Sequence, residues 1–244
     1  MTTYEVLGQG YAGQRRPDPR LAAAIGAAVG STGSVLNVGA GTGSYEPAGA
    51  GVVALEPSRR MLGQRTRRDN AVEGVVEALP FPDDAFDVVL GVLTLHHWTD
   101  IARGLEECRR VARERVVLLT WDPEDPGFWL TQDYFPVVLE LDRSIFPTMA
   151  ELGESLPGAR VERLPLPADC VDGFLCAYWR RPEAYLIPEV RRSMSTLMRI
   201  GPLEPGVERL RVDLESGAWR RRHGHLLDLE ELELGYRLVT APAG

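Results

Sequence analysis

The feature that most constrains this chain is an apolar run that ends in three closely spaced glycines, VLNVGAGTGS at residues 35–44. The apolar half predicts a buried strand of a parallel sheet, and the G-x-G-x-G spacing predicts the tight turn that follows it. Glycine tolerates a positive φ and places no Cβ between the main chain and a ligand. Ligands of open parallel sheets bind beyond the carboxyl ends of the strands, so this turn is the predicted ligand site.

Further apolar runs follow in the rhythm of strand, helix, strand. This alternation predicts an α/β fold with a doubly wound, parallel sheet. The connection after Gly43 is unusual, because only eight residues separate it from the next apolar run at Val52, too few for an ordinary crossover helix. Strands are predicted over residues 34–38, 52–56, 71–76, 84–93 and 115–121, and helices over residues 21–29, 58–68 and 100–113.

The organisation of the chain changes after Asp122. The sequence there predicts a helix over 148–156, a sixth strand over 159–166, a mostly helical and aromatic insertion over 172–228, and a final strand over 231–241. We predict a single domain, 1–244, whose parts are an N-terminal lid over 1–20, a ligand-binding core over 21–122, a helical cap over 123–158 and 167–230, and the final strand. A frayed terminus is the alternative for residues 4–20, whose Gly, Arg and Pro content disfavours helix.

The charge and the residue composition disfavour several classes of function. The net charge is −8 and the sequence pI is about 5.2, whereas a large nucleic-acid interface requires a basic surface. All 27 basic residues are arginine. The chain therefore has no lysine for a Schiff base or for a P-loop.

The three cysteines, Cys108, Cys170 and Cys176, lack C-x-x-C spacing. We interpret them as buried or incidental thiols in a reducing compartment rather than as a disulfide or a metal site. The first residues lack the basic and apolar regions of a signal peptide, and no apolar run approaches the length of a membrane span. The sequence therefore predicts a soluble, cytoplasmic protein without a metal site.

Three features at consecutive strand ends indicate an adenosine site. The glycine turn follows the first strand, Glu56 ends the second strand thirteen residues after Gly43, and the turn at residues 77–81 follows the third. A carboxylate at a strand tip can accept both hydrogens of a ribose diol. The third turn can hold an adenine between backbone groups and apolar side chains. The alternative is that Glu56 is a solvated strand end and that the glycines form only a turn.

Two adenosine cofactors compete for this site. A dinucleotide requires G-x-G-x-x-G opening a helix whose N-terminus binds the pyrophosphate. Here Ser44 follows Gly43 and the helix is nearly absent. S-adenosylmethionine, which has no phosphate, fits better.

On these motifs the sequence resembles the class I S-adenosylmethionine-dependent methyltransferases, in particular the small-molecule branch of the ubiquinone and menaquinone biosynthesis type (type 11). The resemblance covers roughly residues 10–122 and rests on residues 35–44, 53–58, 77–81, 86–89 and 95–98. It implies a Rossmann-like, seven-stranded, mostly parallel sheet with an antiparallel last strand and a helical cap insertion. The implied reaction is in-line methyl transfer to a small-molecule acceptor, with S-adenosylhomocysteine as the product.

The resemblance also implies roles for individual residues. Gly39, Ala40 and Gly41 would line the methionine part of the cofactor, and Glu56 would bind the ribose hydroxyls. Leu93 would contact the cofactor beneath the sulfonium through its main chain. The residues expected to border the adenine are Pro57, Ser58, Met61, Glu77 and Ala78, and those expected to close over the cofactor carboxylate are Tyr11 and Arg16.

Two positions depart from the pattern of the family. Asn37 replaces the acidic residue that often precedes the first glycine. Val75 stands where many relatives have an aspartate that reaches the adenine amine. Backbone groups can hold the base instead.

Methyl transfer does not always require a catalytic base, because the cofactor supplies the reactivity and the protein mainly aligns the reactants. A general base helps when the acceptor is a hydroxyl or an acidic carbon. His96 and His97 follow the fourth strand, beside the expected methyl position, and are the candidate catalytic residues. The alternative is that they cap the loop or pack beneath the lid. Asp122 is a weaker candidate whose position is more typical of a helix cap.

The second half of the chain contains two further histidines and a group of aromatic residues. His223 and His225, which follow three arginines, are interpreted as a solvated basic turn rather than a metal or phosphate site. The aromatic residues of the cap form either its core or an apolar acceptor pocket. They are Trp129, Tyr134, Phe135, Tyr178 and Trp179.

The sequence leaves other functions open as alternatives. A non-catalytic S-adenosylmethionine-binding or regulatory protein could keep the same fold. A dinucleotide oxidoreductase is disfavoured by the missing crossover helix. Nucleic-acid methylation is disfavoured by the negative charge and by the lack of an Asn/Asp-Pro-Pro-Tyr/Phe segment or a Pro-Cys nucleophile after the fourth strand. The expected partner is a small-molecule acceptor, and the expected state is a monomer or a homodimer.

Overall fold

The computed structural model describes residues 15–66 and 70–244. Within this part of the chain, seven strands form one sheet in the order β3-β2-β1-β4-β5-β9-β6, and two short strands, β7 and β8, pair separately. The strands are β1 Ser34–Val38, β2 Gly51–Glu56, β3 Ala71–Glu73, β4 Phe86–Val92, β5 Ala112–Trp121, β6 Arg160–Arg163, β7 Leu166–Pro167, β8 Glu231–Leu232 and β9 Tyr236–Pro242. Strands β1 to β5 are parallel, and β9 is antiparallel to both β5 and β6. The predicted doubly wound, mostly parallel sheet is confirmed.

The strand order places the glycine turn at the switch point of the sheet. From β1 the chain moves outward through β2 to β3, and then returns to add β4 on the other side of β1. Val38 therefore pairs with Leu55 of β2 and with Gly91 of β4. The loops that leave β1 and β4 diverge, which opens a crevice beyond their carboxyl ends.

Helices cover both faces of this sheet. Several begin at a side-chain cap: Asp18, Ser58, Asp100 and Thr148 each accept a hydrogen bond from a backbone N–H in the first turn. The helices in the described residues are α1 Pro19–Val29, α2 Arg59–Gly63, α3 Ile101–Val111, α4 Pro136–Ile145, α5 Met149–Ser155, α6 Pro188–Arg192, α7 Glu204–Glu215 and α8 Ala218–His223.

The strand side chains alternate between two apolar layers. Val35 and Leu90 belong to the layer that contains α1 and the cap. Leu36 and Val89 belong to the layer that contains α3 and α5. Because successive side chains of a strand point to opposite faces, a sheet covered on both sides requires the continuous apolar runs seen in the sequence.

The connection from β1 to β2 contains turns and no helix over residues 41–50, as its length predicts. Buried polar contacts hold it instead. Glu46 Oε1 accepts hydrogen bonds from Asn37 Nδ2 at 3.0 Å and from the Arg65 guanidinium at 2.6 Å. The Tyr45 hydroxyl donates to Asp172 of the cap at 2.9 Å. The loop is thus held from β1, from the segment after α2 and from the cap.

The helix predicted over 58–68 ends earlier, at Gly63. The chain turns inward after this point, because Arg65 is buried in its ion pair with Glu46.

The strand predicted over 71–76 is also shorter and ends at Glu73. The next residues form a 3-10 turn, Val76–Ala78. Its end is fixed by the buried Glu107 carboxylate of α3, which accepts a hydrogen bond from Leu79 N at 2.9 Å. This contact to a helix replaces the ladder contacts that a longer strand would make.

Both predicted strands of the second half are divided. Residues 159–166 form β6 and β7, and residues 231–241 form β8 and most of β9. Gly235 lies at the second break with a φ of 78°, and a Cβ there would lie 2.6 Å from Trp121 Nε1. The chain turns at this glycine, so β8 pairs with β7 while β9 pairs with β5 and β6. The insertion before β8 is mostly helical, as predicted.

We predict that Gly39→Ala lowers the free energy of unfolding by roughly 2–5 kcal/mol, because it adds both backbone strain and a steric clash. Gly39 has a φ of 62°, and its Cβ would lie 1.9 Å from Thr94 Oγ1. The measurement is urea denaturation.

The matched control is Gly26→Ala in α1, where an added Cβ meets nothing within 4 Å. This substitution should stabilise the protein by about 0.5–1 kcal/mol, because alanine is the better helix former. Equal stability of the two variants would contradict the packing of Gly39 against Thr94.

Candidate active site

A cavity of about 960 Å³ opens beyond the carboxyl ends of β1, β2 and β4. We call it the outer cavity. Its walls come from the glycine turn, the end of β2, the 3-10 turn after β3 and the loop after β4, and the end of α4 closes one side. These are the strand ends at which the sequence places its motifs. Among the predicted residues it is lined by Gly39, Ala40, Gly41, Glu56, Pro57, Ser58, Met61, Glu77, Leu93, His96 and His97.

The glycine turn is held close to the strands by its own backbone. Gly39 and Gly41 have φ values of 62° and 53°. Ala40 N donates to Leu55 O at 3.0 Å, which ties the turn to the end of β2. No side chain other than the Ala40 methyl stands between this backbone and the cavity at residues 39–41, so a ligand can approach the main chain.

Glu56 joins the turn to the start of α2. Its Oε2 accepts a hydrogen bond from Gly41 N at 2.9 Å, and its Oε1 accepts one from Ser58 N at 3.0 Å. The side chain is buried, and burial raises its pKa despite these two bonds. Each oxygen keeps a second lone pair. A ribose diol would supply two donors to these positions and relieve the cost of burying the charge, so the site fits the adenosine part of S-adenosylmethionine.

The neighbouring wall suits an adenine held mainly by apolar contact. Met61, Val76 and Ile101 line it. Val75 is 48% exposed and also faces the cavity, so the position that carries an aspartate in many relatives offers no polar side chain here. The Glu77 carboxylate accepts hydrogen bonds from Thr99 N at 2.6 Å and Thr99 Oγ1 at 2.9 Å.

One predicted adenine contact lies elsewhere. Ala78 is exposed at the end of the 3-10 turn and does not line the outer cavity. Val76, the first residue of the same turn, is buried and does line it.

Leu93 has a φ of 51°, a conformation that is unfavourable for a leucine. Its N–H still continues the sheet by donating to Leu119 O at 2.8 Å. The next residue, Thr94, packs against Gly39. Strained residues of this kind concentrate at functional sites because the surrounding structure must hold them. Here the strain bends the chain away from β4 at the switch point.

In the N-terminal segment, the arginine that lines the outer cavity is Arg15 and not the predicted Arg16. Tyr11 lies outside the described residues. Arg16 is exposed, whereas Arg15 lines the outer cavity. Arg15 Nε also donates to the buried Asp172 carboxylate at 2.6 Å. Two adjacent arginines cannot be told apart by sequence pattern, and the contact with the cap decides which one faces inward.

A second, smaller chamber lies behind the outer cavity. We call it the inner chamber. Its volume is about 70 Å³, room for on the order of five water molecules. About half of the lining residues are aromatic or aliphatic, and polar side chains stand among them, a mixture that suits a small-molecule site. The residues that line it include Trp121, Phe128, Leu139, Phe146, Phe174, Met194, Leu234 and Tyr236, together with Thr131, Asp142, Cys176, Ser193 and Thr196.

The two spaces share a wall. Arg15, Leu93, His96 and His97 line both of them. The shared wall therefore stands at the carboxyl end of β4, between the glycine turn and the cap. The sequence motifs indicate three of these four residues but none of the aromatic residues behind them, because those come from β5, the cap and β9.

His96 and His97 pack as rings rather than as exposed bases. Their centroids are 3.8 Å apart, and His96 also stacks on Phe146 with a centroid distance of 4.5 Å. Burial lowers the pKa of His97 to about 3, and the charge of Arg199 adds to this effect. Burial also holds the pKa of His96 well below its usual range. Both rings are uncharged at neutral pH, and both are weak bases.

Asp142 of α4 is the acidic side chain of the inner chamber. It is 5% exposed, and its Oδ1 accepts a hydrogen bond from Thr196 Oγ1 at 3.1 Å. Burial raises the pKa of this carboxyl to about 7. The sequence gives no signal for this residue, since the periodicity of α4 alone does not show that its buried face borders a chamber.

The other candidates have structural roles. Asp122 accepts a hydrogen bond from Glu124 N at 3.1 Å and forms an ion pair with Arg237 at 3.1 Å. His223 is not part of a solvated turn: its Nε2 lies 2.8 Å from Asp133 Oδ2, and its ring packs against Trp219.

The cap aromatics Trp129, Tyr134, Phe135 and Trp179 are buried core residues. Cys108, Cys170 and Cys176 are free and buried, as predicted. In residues 15–66 and 70–244, no helix combines the length and the apolar character needed to cross a bilayer.

Comparison with known proteins agrees with this geometry. A family model described as a methyltransferase domain matches residues 36–120. The crystal structure of a protein assigned as a methyltransferase from an antibiotic biosynthesis pathway in Anabaena variabilis is 34% identical, with a TM-score of 0.87, and the match covers 93% of this chain and 98% of that one.

Two curated relatives are named for the methylation of quinone-type molecules. A demethylmenaquinone methyltransferase of Renibacterium salmoninarum is 35% identical over 61% of this chain and 64% of its own length. A 2-methyl-6-phytyl-1,4-hydroquinone methyltransferase of Oryza sativa is 33% identical over 40% of this chain and 31% of its own length. The chain spans less than two thirds of the length of the curated relatives it matches.

The fold and the site together define an adenosine-binding protein of the doubly wound α/β class. With the near full-length similarity to the Anabaena variabilis structure, the chain belongs to the class I S-adenosylmethionine-dependent methyltransferases, in the group recognised by the type 11 methyltransferase domain.

We predict that Glu56→Gln weakens the binding of S-adenosylhomocysteine by roughly 10- to 100-fold, because the amide loses charge-assisted acceptors and places a donor against backbone N–H groups. The affinity is measured by isothermal titration calorimetry. The control is Glu73→Gln: Glu73 lies in register with Glu56 on β3 but is exposed. Unchanged affinity in Glu56→Gln would remove Glu56 from the ribose site.

A second prediction concerns pH. The folded-state pKa of Asp142, about 7, lies above the ordinary value of 3.8, so between these values the folded protein binds more protons than the unfolded chain. Stability therefore falls as pH rises through this window and levels off above it. Relative to wild type, Asp142→Asn should gain up to roughly 4 kcal/mol between pH 4 and pH 8.

The measurement is urea denaturation of both proteins across this pH range. Glu140→Gln, an exposed position on the same helix, serves as the control and should show no such trend. A constant difference between Asp142→Asn and wild type would show that Asp142 titrates normally.

Proposed function

We propose that this protein transfers a methyl group from S-adenosylmethionine to a small, largely apolar acceptor that places one ring in the inner chamber. The observation that carries this proposal is the shared wall, because Leu93, His96 and His97 line both the outer cavity and the inner chamber. A ligand in the outer cavity and a ligand in the inner chamber would therefore meet at the carboxyl end of β4. When bound, S-adenosylmethionine supplies an electrophilic methyl group on a sulfonium.

The residues of the chain would bind and orient the two reactants. Gly39 and Gly41 leave the main chain open to the methionine part, Glu56 would hold the ribose diol, and Met61 with Val76 would border the adenine. This arrangement supports alignment as the main catalytic contribution, since an in-line displacement depends on holding the two reacting atoms in contact.

The cap would exclude water from the acceptor. Phe128, Phe146 and Phe174 line the inner chamber. The cap is also tied to the cofactor side by the Arg15–Asp172 pair, whose atoms Nε and Oδ1 are 2.6 Å apart. Arg15, at the shared wall, is our candidate for closing over the cofactor carboxylate.

His96 and His97 would shape the wall and offer neutral hydrogen-bonding groups to the acceptor. A base with a pKa of about 3, as at His97, takes up a proton poorly at neutral pH. This favours positioning over general-base catalysis for the histidines.

The acceptor class follows from the chamber and from the relatives. A space of about 70 Å³ admits on the order of one ring, and its lining suits an aromatic one. Relatives named for menaquinone and hydroquinone methylation support a hydroxylated or quinone-type ring as the acceptor. We further propose a cytoplasmic location, which the free thiols of the described chain support.

We predict that Leu139→Trp abolishes methyl transfer while leaving S-adenosylhomocysteine affinity within about twofold, because the added volume fills the inner chamber and not the outer cavity. The assay follows transfer of a labelled methyl group to a panel of phenols, hydroquinones and polar metabolites. Leu139 lines the chamber.

Val137→Trp is the matched control, since Val137 lies on the same helix and is 48% exposed. It should retain activity. Undiminished activity in Leu139→Trp would place the acceptor elsewhere. Cofactor binding without transfer to any compound of the panel would favour a non-catalytic binding protein.

A further inference from the structure

Asp142 is out of place in its surroundings. It lies in α4 with its side chain in the inner chamber, where about half of the lining residues are aromatic or aliphatic and the arginine, Arg15, is paired with Asp172. Carboxylates are rarely buried in apolar surroundings unless a cation or several donors accompany them, because burial of an unpaired charge is costly. The chamber therefore contains one feature that apolar packing does not explain.

The partners of this carboxylate are few. In residues 15–66 and 70–244 it receives one side-chain hydrogen bond, from Thr196 Oγ1 at 3.1 Å. The charge of Arg199 favours its ionised form, and Arg15, the arginine that lines the chamber, is paired with Asp172 instead. An ionised carboxylate has about four acceptor positions. Most of its capacity is therefore available toward the chamber.

A purely structural role for Asp142 does not require a carboxylate. If Asp142 served only to link α4 to the segment before the 3-10 turn Leu197–Arg199, an asparagine would accept the same hydrogen bond from Thr196 without burying a charge. Other links between segments of the cap pair a neutral donor with a neutral acceptor. Ser193 Oγ, for example, donates a hydrogen bond to Gly173 O at 2.8 Å. Asp142 is the exception, because its buried carboxylate is matched by a single side-chain donor, Thr196 Oγ1.

The neighbouring residues place Asp142 near the shared wall. Phe146 N donates to Asp142 O at 3.0 Å, so these two residues are one helical turn apart. Phe146 stacks on His96, which lines both spaces. A ring in the inner chamber would thus lie between the carboxylate and the wall where the two reactants meet.

We propose that Asp142, positioned by Thr196, is the specificity-determining residue of the inner chamber and accepts a hydrogen bond from a hydroxyl group on the ring of the acceptor. This inference rests on the proposed function and narrows its acceptor class to hydroxylated rings such as phenols and hydroquinones. A site that pairs a buried polar group with a substrate hydroxyl rejects analogues without it, because binding them leaves the buried group unpaired.

The test uses two probes of nearly equal size, phenol and toluene, with the chain saturated in S-adenosylhomocysteine. Binding is followed by isothermal titration calorimetry. At about pH 8, where the Asp142 carboxyl with its pKa of about 7 is mostly ionised, wild type should prefer phenol by roughly 10- to 100-fold, the value expected for a hydrogen bond to a charged acceptor. Asp142→Leu should lose this preference and bind toluene at least as tightly as wild type does. Thr196→Val should show a reduced preference.

Two further variants complete the test. Asp142→Asn keeps the shape of the side chain and the link to Thr196, so it serves if Asp142→Leu does not fold, and it should reduce the preference for phenol at least several-fold. Glu140→Gln, exposed on the same helix, should behave as wild type.

The outcomes separate this proposal from the proposed function. A full preference for phenol in both Asp142 variants overturns the role of Asp142 and leaves the inner chamber as the acceptor site. A wild-type protein that binds toluene as well as phenol also overturns it. Failure of both probes to bind while S-adenosylhomocysteine binds overturns the proposed function and this inference together.

Discussion

The site depends on one buried carboxylate. Glu56 ends β2 and receives hydrogen bonds from Gly41 N of the glycine turn and from Ser58 N at the start of α2. These bonds fix the separation of two loops that would otherwise be joined only by the sheet. Burial opposes the charge of Glu56, and the bonds are the compensation that keeps the group in place. A ligand with a vicinal diol would add further donors to the same two oxygens, so the group that joins the two loops is also our proposed contact to the cofactor ribose.

The second organising constraint is the end of β4. Leu93 is held at a positive φ, and Thr94 packs against Gly39, where a Cβ would not fit. The chain is thereby forced away from the sheet, and it carries His96 and His97 to the boundary between the two spaces. The cap then supplies the far side of the inner chamber from residues distant in sequence. The outer cavity is built from local motifs, and the inner chamber is built from long-range packing.

This difference explains how much could be predicted. The sheet, the missing crossover helix and most of the cofactor wall follow from patterns in residues 34–97, because strand periodicity and turn chemistry are local. Arg15 rather than Arg16, and Val76 rather than Ala78, face the outer cavity, and periodicity could not decide either choice in irregular segments. The break at Gly235 was hidden within an apparently continuous strand, because its cause is a close contact with Trp121.

By itself the sequence determined the doubly wound fold, the turn and strand ends that line the outer cavity, and the lack of a helix between β1 and β2, since each depends on spacing within a short stretch of chain. The tertiary structure alone decided what lines the inner chamber, our proposed acceptor site. Asp142, Thr196 and Tyr236 lie in separate segments yet line one chamber, and their side chains acquire their properties from burial against one another. The low pKa of His97 and the raised pKa of Asp142 have the same origin. Both are effects of desolvation, which depends on the packed surroundings and not on the neighbours in sequence.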